Sequence, residues 1–245
     1  MSRRSRQGAG AQAAPAFLPS FDGDLLSAAA HELRTPLAVV AGYAELLQAR
    51  DDEGLRAEGL LAITEAANEL YGAVDEVMRL LALGSGNVEP EDSEELDLSA
   101  SVGEAIAVVG ARTSRHSLAA LRNGEPWPLV RADEELLPQA LMSVLRSACR
   151  VLPGGGDVLV GAMSRGGEAV VSVLALERGR GAVEFEELGP LAYTSGDEWP
   201  DRGALGLYAT SRLLELMDGE LTVEAAPGVG YRFSFTVPLA GNDAG

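Results

Sequence analysis

The chain contains no lysine: all 19 of its basic residues are arginine. A genomic preference for GC-rich codons accounts for this most simply, yet it has a chemical consequence. No lysine amine is available for phosphate binding or covalent chemistry, so any such cationic role falls to arginine. Cysteine is nearly as scarce. Cys149 is the single one, which excludes a disulfide or a thiolate metal site within one chain and suits a reducing cytosol. It sits in an apolar helical run, where cysteine behaves as a small hydrophobe. No apolar stretch approaches the roughly 18–20 residues that span a bilayer. Residues 1–20 carry Arg3, Arg4 and Arg6 but no apolar core, so they do not read as a signal peptide. Their Ala/Gly/Pro/Gln content reads as a disordered tail. These absences lead us to expect a cytoplasmic protein whose signal arrives from inside the cell.

Acid is abundant instead. The formal charge of −18 over 245 residues argues against nucleic-acid backbones and anionic membranes as partners. A solvated acidic surface is its plain reading. The apolar content is ordinary for a globular protein, so a core can form.

The first half is helical in pattern. From Asp22 to Arg50, Leu26, Leu33, Val40 and Leu47 recur every seven residues, and Ala30, Leu37 and Ala44 form a second line. From Gly54 to Leu83 the lines are Leu60, Ala67, Val74, Leu81 and Ile63, Leu70, Val77. Two heptad helices joined by Asp51-Asp52-Glu53 read as an antiparallel hairpin. A lone hairpin buries too little surface to be stable. Two hairpins make a four-helix bundle, so a homodimer is expected.

We divide the chain into a tail (1–20), a helical hairpin (21–84), an acidic linker (85–97), a mixed α/β domain (98–240) and a short tail (241–245). In the α/β part, a helix is expected over Leu98–Ser117. Another starts from an Asp133 N-cap and runs towards Leu152, where Pro153-Gly154-Gly155-Gly156 stops it. Strands are expected at Asp157–Met163 and Ala169–Leu176 around Arg165-Gly166-Gly167. After a loop to Arg202 come a helix, Ala204–Met217, and strands at Glu220–Ala225 and Tyr231–Val237. His116, near the expected helix end, reads as a surface residue without a role.

The motif with the most chemical content is His31-Glu32-Leu33-Arg34-Thr35-Pro36-Leu37. His31 shares a helical line with Asp24, Ala38 and Glu45, which faces solvent. Neutral imidazole is a competent nucleophile near pH 7. Thr35 is four residues on and shares the same face. Pro36 has no N–H and is expected to bend the helix.

This box, the two heptad helices and the α/β pattern downstream resemble the two-component sensor histidine kinases. The resemblance covers Asp22 to Leu239. It implies an α+β chain: a phosphoacceptor and dimerisation hairpin, then a two-layer α/β sandwich of the kinase/gyrase ATPase type. By the same resemblance His31 carries a phosphoryl group, Glu32 orients or deprotonates its ring, and Thr35 helps position water for dephosphorylating the partner. Implied partners are a second copy, the receiver domain of a response regulator and an upstream sensor protein.

The resemblance also implies ATP and Mg²⁺, but the contact residues depart from the family pattern. In the run Leu141 to Pro153, Ser147 stands where the family has a metal-binding asparagine, and Arg150 remains to meet a phosphate. Glu177-Arg178-Gly179-Arg180-Gly181 keeps both glycines of the first glycine box, with Glu177 in place of the adenine-binding aspartate. Arg202-Gly203-Ala204-Leu205-Gly206-Leu207 keeps Leu205, Gly206 and Leu207 of the second but lacks two glycines. No metal-ligand cluster is visible. Three functions stay open: a kinase that phosphorylates His31 from ATP, an ATP-independent histidine phosphotransferase, and a non-catalytic dimeric scaffold that docks a receiver.

Overall fold

The structure is a computed structural model; it describes residues 24–50, 52–84, 93–121, 126–182, 191–193, 200 and 202–241. The expected tail at 1–20, most of the tail at 241–245 and the first part of the acidic linker lie outside these residues.

Helices α1 (Asp24–Ala49) and α2 (Glu53–Gly84) form the expected hairpin. Asp52 opens α2 by accepting from Leu55 N–H at 2.8 Å. Gly59 lets the helices approach, since a Cβ there would lie 3.1 Å from Leu47 and 3.2 Å from Tyr43. Helix α1 runs through Pro36 without interruption. The buried stripe of α2 is Gly59, Ala66, Ala73 and Leu80, one position earlier than the line expected from its larger apolar residues. In that line Leu60, Val74 and Leu81 are exposed, as are Leu26 and Leu37 of α1. Glycine and alanine thus make up most of the inward face, with Leu80 and Leu83 at its end, while Leu60, Val74 and Leu81 face outwards.

The last four residues of the expected linker form a strand, β1 (Glu94–Asp97). It pairs antiparallel with β3 (Leu129–Ala132), a strand not expected from the sequence. Asp97 then caps α3 (Leu98–Gly110), accepting from Ser99 N–H at 2.9 Å and Ala100 N–H at 3.2 Å. Helix α3 is shorter than expected: His116, assigned to its end, begins strand β2 (His116–Ala120). Nor is His116 a plain surface residue. Its Nε2 donates to Leu152 O at 3.0 Å, and its Nδ1 accepts from the Thr113 hydroxyl at 2.7 Å. A carbonyl can only accept, which fixes this tautomer. The ring ties the start of β2 to the segment after helix α4 (Leu136–Arg150). Asp133 receives Glu135 N–H and Leu136 N–H at 2.8 and 2.9 Å, so it caps α4 as expected.

Strands β4 (Gly156–Arg165) and β5 (Glu168–Glu177) make the expected hairpin. Beyond them lie β6 (Leu191–Tyr193), α5 (Ala204–Glu215), β7 (Leu221–Ala226) and β8 (Gly230–Pro238). The sheet order is β2-β4-β5-β8-β7-β6, with β2 and β4 parallel and the other pairs antiparallel. Val173 pairs with Phe233, which pairs in turn with Val223, so the inward residues of three strands line up. Helices α3, α4 and α5 cover this face, and Leu141, Val144, Leu145 and Leu207 fill the core. The fold is α+β: a helical hairpin beside a two-layer α/β sandwich. Among the described residues no helix is long and apolar enough to cross a membrane.

Candidate functional site

The α/β layer docks on the hairpin through α4 and α5. Ala29, Ala73 and Leu80 of the hairpin pack on Leu205 and Ala209 of α5. Three hairpin carboxylates frame this seam. Glu76 is fully buried. The Ser143 hydroxyl lies 2.9 and 2.8 Å from its two oxygens, Arg146 Nη1 donates to one at 2.9 Å, and Arg79 Nε stands 3.5 Å from the other. Glu65 accepts from Ser114 Oγ at 2.7 Å and pairs with Arg115 at 2.6 Å. Glu32 accepts from Leu205 N–H and from Arg150 Nη1, each at 2.9 Å. The heptad pattern did not single out Glu76, Glu65, Arg146 or Arg115. Glu76 had a detectable signal, because it lies one turn from Ala73 on the small-residue face of α2.

His31 is exposed and lines a cleft of about 330 Å³ between the hairpin and the α/β layer. Thr35 lines the same cleft, and its hydroxyl donates to His31 O at 3.3 Å. Asn68, Glu69, Arg112 and Arg202 also face this space. Five arginines and three glutamates line it, so it is locally cationic on a strongly acidic chain. Such a cleft suits a histidine that takes on a phosphoryl dianion.

The residues matched to nucleotide binding lie elsewhere or have protein partners. Ser147 is fully buried and its hydroxyl donates to Gly203 O at 2.8 Å. Gly203 has φ +83°, and a Cβ on it would sit 3.0 Å from Ser147 O. A Cβ on Gly206 would sit 2.3 Å from Ser147 Oγ. The two glycines are therefore needed where α5 meets α4. Leu205 and Leu207 are buried, the first under the hairpin and the second in the core. Glu177 is exposed at the end of β5, and Gly179 occupies the turn after it with φ +81°. Glu177, Gly179 and Gly181 do not line the cleft. In this arrangement the groups present among the described residues do not fit ATP and Mg²⁺. Ser147, Arg150 and the first turn of α5 are already engaged with protein.

Burial raises the Glu32 carboxyl above the usual carboxylate range; Arg150 and the Leu205 amide offset this only in part. Glu76 also faces it unfavourably, and His31 favourably. The docked state thus binds the Glu32 proton more tightly than a separated state would. The Glu32 contribution to docking should grow as pH falls through that raised value, and level off below the ordinary one. Amide exchange in the first turn of α5, followed from neutral to mildly acid pH, reads this directly. Slower exchange at lower pH, after correction for intrinsic rates, is the expected result. Cys149 lines the cleft, but burial pushes its thiol up to about 12. Alkylation at neutral pH should be at least about a hundredfold slower than in the unfolded chain, because the thiolate is the reactive form.

The sequence comparisons agree with this geometry. The His Kinase A (phospho-acceptor) domain family matches residues 22–86, the hairpin that carries His31. The sensor protein DivL of Caulobacter vibrioides is 31% identical over 220 residues, which is 88% of this chain and 28% of DivL. The chain belongs to the two-component sensor histidine kinase family. Histidine protein kinase DivJ of the same organism is 27% identical over 217 residues, 85% of this chain and 36% of DivJ. This histidine kinase family member therefore spans about a third of the length of these curated relatives. In fold it is similar to histidine kinase ThkA, solved in complex with the response regulator TrrA, with a TM-score of 0.56 and 19% identity, covering 90% of this chain and 62% of that one. It is also similar to ShkA, solved in complex with AMPPNP, with a TM-score of 0.50 and 23% identity, covering 88% of this chain and 45% of that one.

Proposed function

We propose that the chain is a phosphoryl carrier in two-component signalling: His31 accepts a phosphoryl group and passes it to an aspartate of a response-regulator receiver domain. The observation that carries this reading is His31 itself, exposed on α1 and opening on a cationic cleft. A ring nitrogen forms the bond to phosphorus as the donor's bond to phosphorus breaks. In the second step the receiver carboxylate attacks, the N–P bond breaks, and the imidazole is released. Arg112 and Arg202 line the same cleft and favour the dianion between these steps. Thr35 is placed one turn from His31. Its hydroxyl donates to the His31 carbonyl and keeps its oxygen lone pairs to accept from a water directed at a receiver phosphate.

Arg150 and the first turn of α5 are the groups for a nucleotide phosphate in the kinase reading. A second reading, ATP-independent phosphotransfer from a phosphorylated receiver, is favoured by one specific observation: those groups are occupied by Glu32. A homodimer completes the proposal. Leu26, Leu60, Val74, Met78 and Leu81 are between 47 and 68% exposed and form an apolar face on the hairpin that a second copy would cover.

The test presents the protein separately with γ-labelled ATP plus Mg²⁺ and with a phosphorylated receiver domain, beside His31→Ala. Acid-labile, alkali-stable label from either donor, absent in His31→Ala, supports the carrier. Label from the receiver alone selects the ATP-independent reading. Equal labelling of wild type and His31→Ala contradicts both.

A further inference from the structure

His31 and Glu32 are consecutive, yet they face different surroundings. Adjacent residues of an α-helix are turned about 100° from one another. His31 is exposed on the cleft, whereas Glu32 is only 9% exposed. Both Glu32 oxygens are taken, and by distant partners. Oε1 receives the N–H of Leu205, 173 residues away, and Oε2 receives Arg150 Nη1, 118 residues away. The first N–H groups of a helix have no acceptor within it, and the positive end of the helix favours an anion. Arg150 adds a full positive charge beside it, and its side chain is only 15% exposed. The position therefore already holds an anion, and that anion comes from the hairpin. Leu205 and Ala209 are closed over by Ala29, Ala73 and Leu80. An anion from outside can reach the Leu205 amide only if the hairpin withdraws. Gly72 contributes to the same closure. A Cβ there would lie 2.9 Å from Arg150 Nη2, so Arg150 lies against α2 because position 72 has no side chain.

We infer that Glu32 is an internal latch: its carboxylate occupies the anion position formed by Arg150 and the first turn of α5, and so excludes nucleotide phosphate until the hairpin and the α/β layer separate. The inference rests on the reading of Arg150 and α5 as the phosphate side of a nucleotide site. It accounts for a family member whose Ser147, Arg150 and Leu205 amide are engaged with protein while its phosphoacceptor histidine is open. In the latched state His31 can exchange phosphoryl with a receiver, and nucleotide affinity is reduced by the fraction of molecules that are open. Glu32, pointing into the seam, has no part in proton transfer at His31 in this state.

The test uses the full chain as wild type, Glu32→Ala, Glu32→Gln and Gly72→Val. Each is titrated with Mg²⁺-ATP by calorimetry, with amide exchange of residues 203–209 measured on the same preparation. Glu32→Ala should lose protection at Leu205 and bind Mg²⁺-ATP about tenfold or more tighter than wild type. Gly72→Val displaces Arg150 without removing an acceptor and should shift both readouts the same way. Glu32→Gln keeps an oxygen for the Leu205 amide but sets an amide NH₂ against Arg150 in place of the carboxylate, and should fall between wild type and Glu32→Ala in both readouts. The latch is overturned if Glu32→Ala and Gly72→Val keep wild-type protection, or lose it with no gain in ATP affinity. Every preparation is also given a phosphorylated receiver domain. Transfer to His31 alongside unchanged ATP affinity overturns the latch alone, whereas folded protein that never accepts phosphoryl overturns the carrier reading beneath it.

Discussion

Glu76→Ala is expected to weaken the docking of the α/β layer on the hairpin by about 3–5 kcal/mol, the range for removing one partner of a buried ionic cluster. Glu76 is fully buried on α2, and Arg146 and Ser143 on α4 both turn to it. Truncation leaves the Arg146 guanidinium and the Ser143 hydroxyl without their buried acceptor. Arg146 is 15% exposed and Arg79 19%. Arg146 meets water only where it lines the cleft while the layers stay docked, so separation is the least costly response. Glu76→Gln keeps one oxygen for these donors and should lose less. Amide exchange along α4 and denaturant unfolding of the full chain report the effect. Wild-type protection of α4 in Glu76→Ala would show that the seam is held by apolar contact alone.

Ser147→Asn restores the residue type of the family pattern, yet it should destabilise the protein by about 1–3 kcal/mol through overpacking. It should not create a nucleotide site. The Ser147 hydroxyl already donates to Gly203 O at 2.8 Å, and a Cβ on Gly206 would approach it to 2.3 Å. A longer amide has nowhere to go unless α5 moves off α4. Glu32 would still hold the Leu205 amide in this variant. The expected result is a lower midpoint of thermal unfolding with no heat of Mg²⁺-ATP binding. A variant as stable as wild type that binds Mg²⁺-ATP would mean that α4 and α5 open readily, against the packing described here.

The hairpin was legible in the sequence because its heptad periodicity is a local signal. The strands β4, β5, β7 and β8 were legible for the same reason, as apolar runs between glycine turns. What the sequence hid depends on distant partners. Strands β1 and β3 are four residues each, and one of them is acidic; their pairing across the chain defines them. His116 read as a surface residue at a helix end, because its two hydrogen bonds depend on where Leu152 and Thr113 arrive in space. The face of α2 was misjudged because apolar size drew attention to Leu60, Val74 and Leu81. The buried stripe is instead mostly glycine and alanine, and α5 lies against Ala73 and Leu80. At the site, motif and helical position were enough to mark His31 as the residue facing solvent. They could not show that Glu32, one residue on, is held by groups 118 and 173 residues away.

The central claim is that His31 carries the phosphoryl group, and one measurement addresses it most directly. The 245-residue chain is mixed with a receiver domain carrying labelled phosphate, and the acceptor residue is located by fragmentation mass spectrometry under alkaline conditions. The account predicts a phosphorylated imidazole at His31 and no labelled residue in a folded His31→Ala variant. Phosphate on any other residue, or none on a folded wild-type protein that binds the receiver, would contradict it.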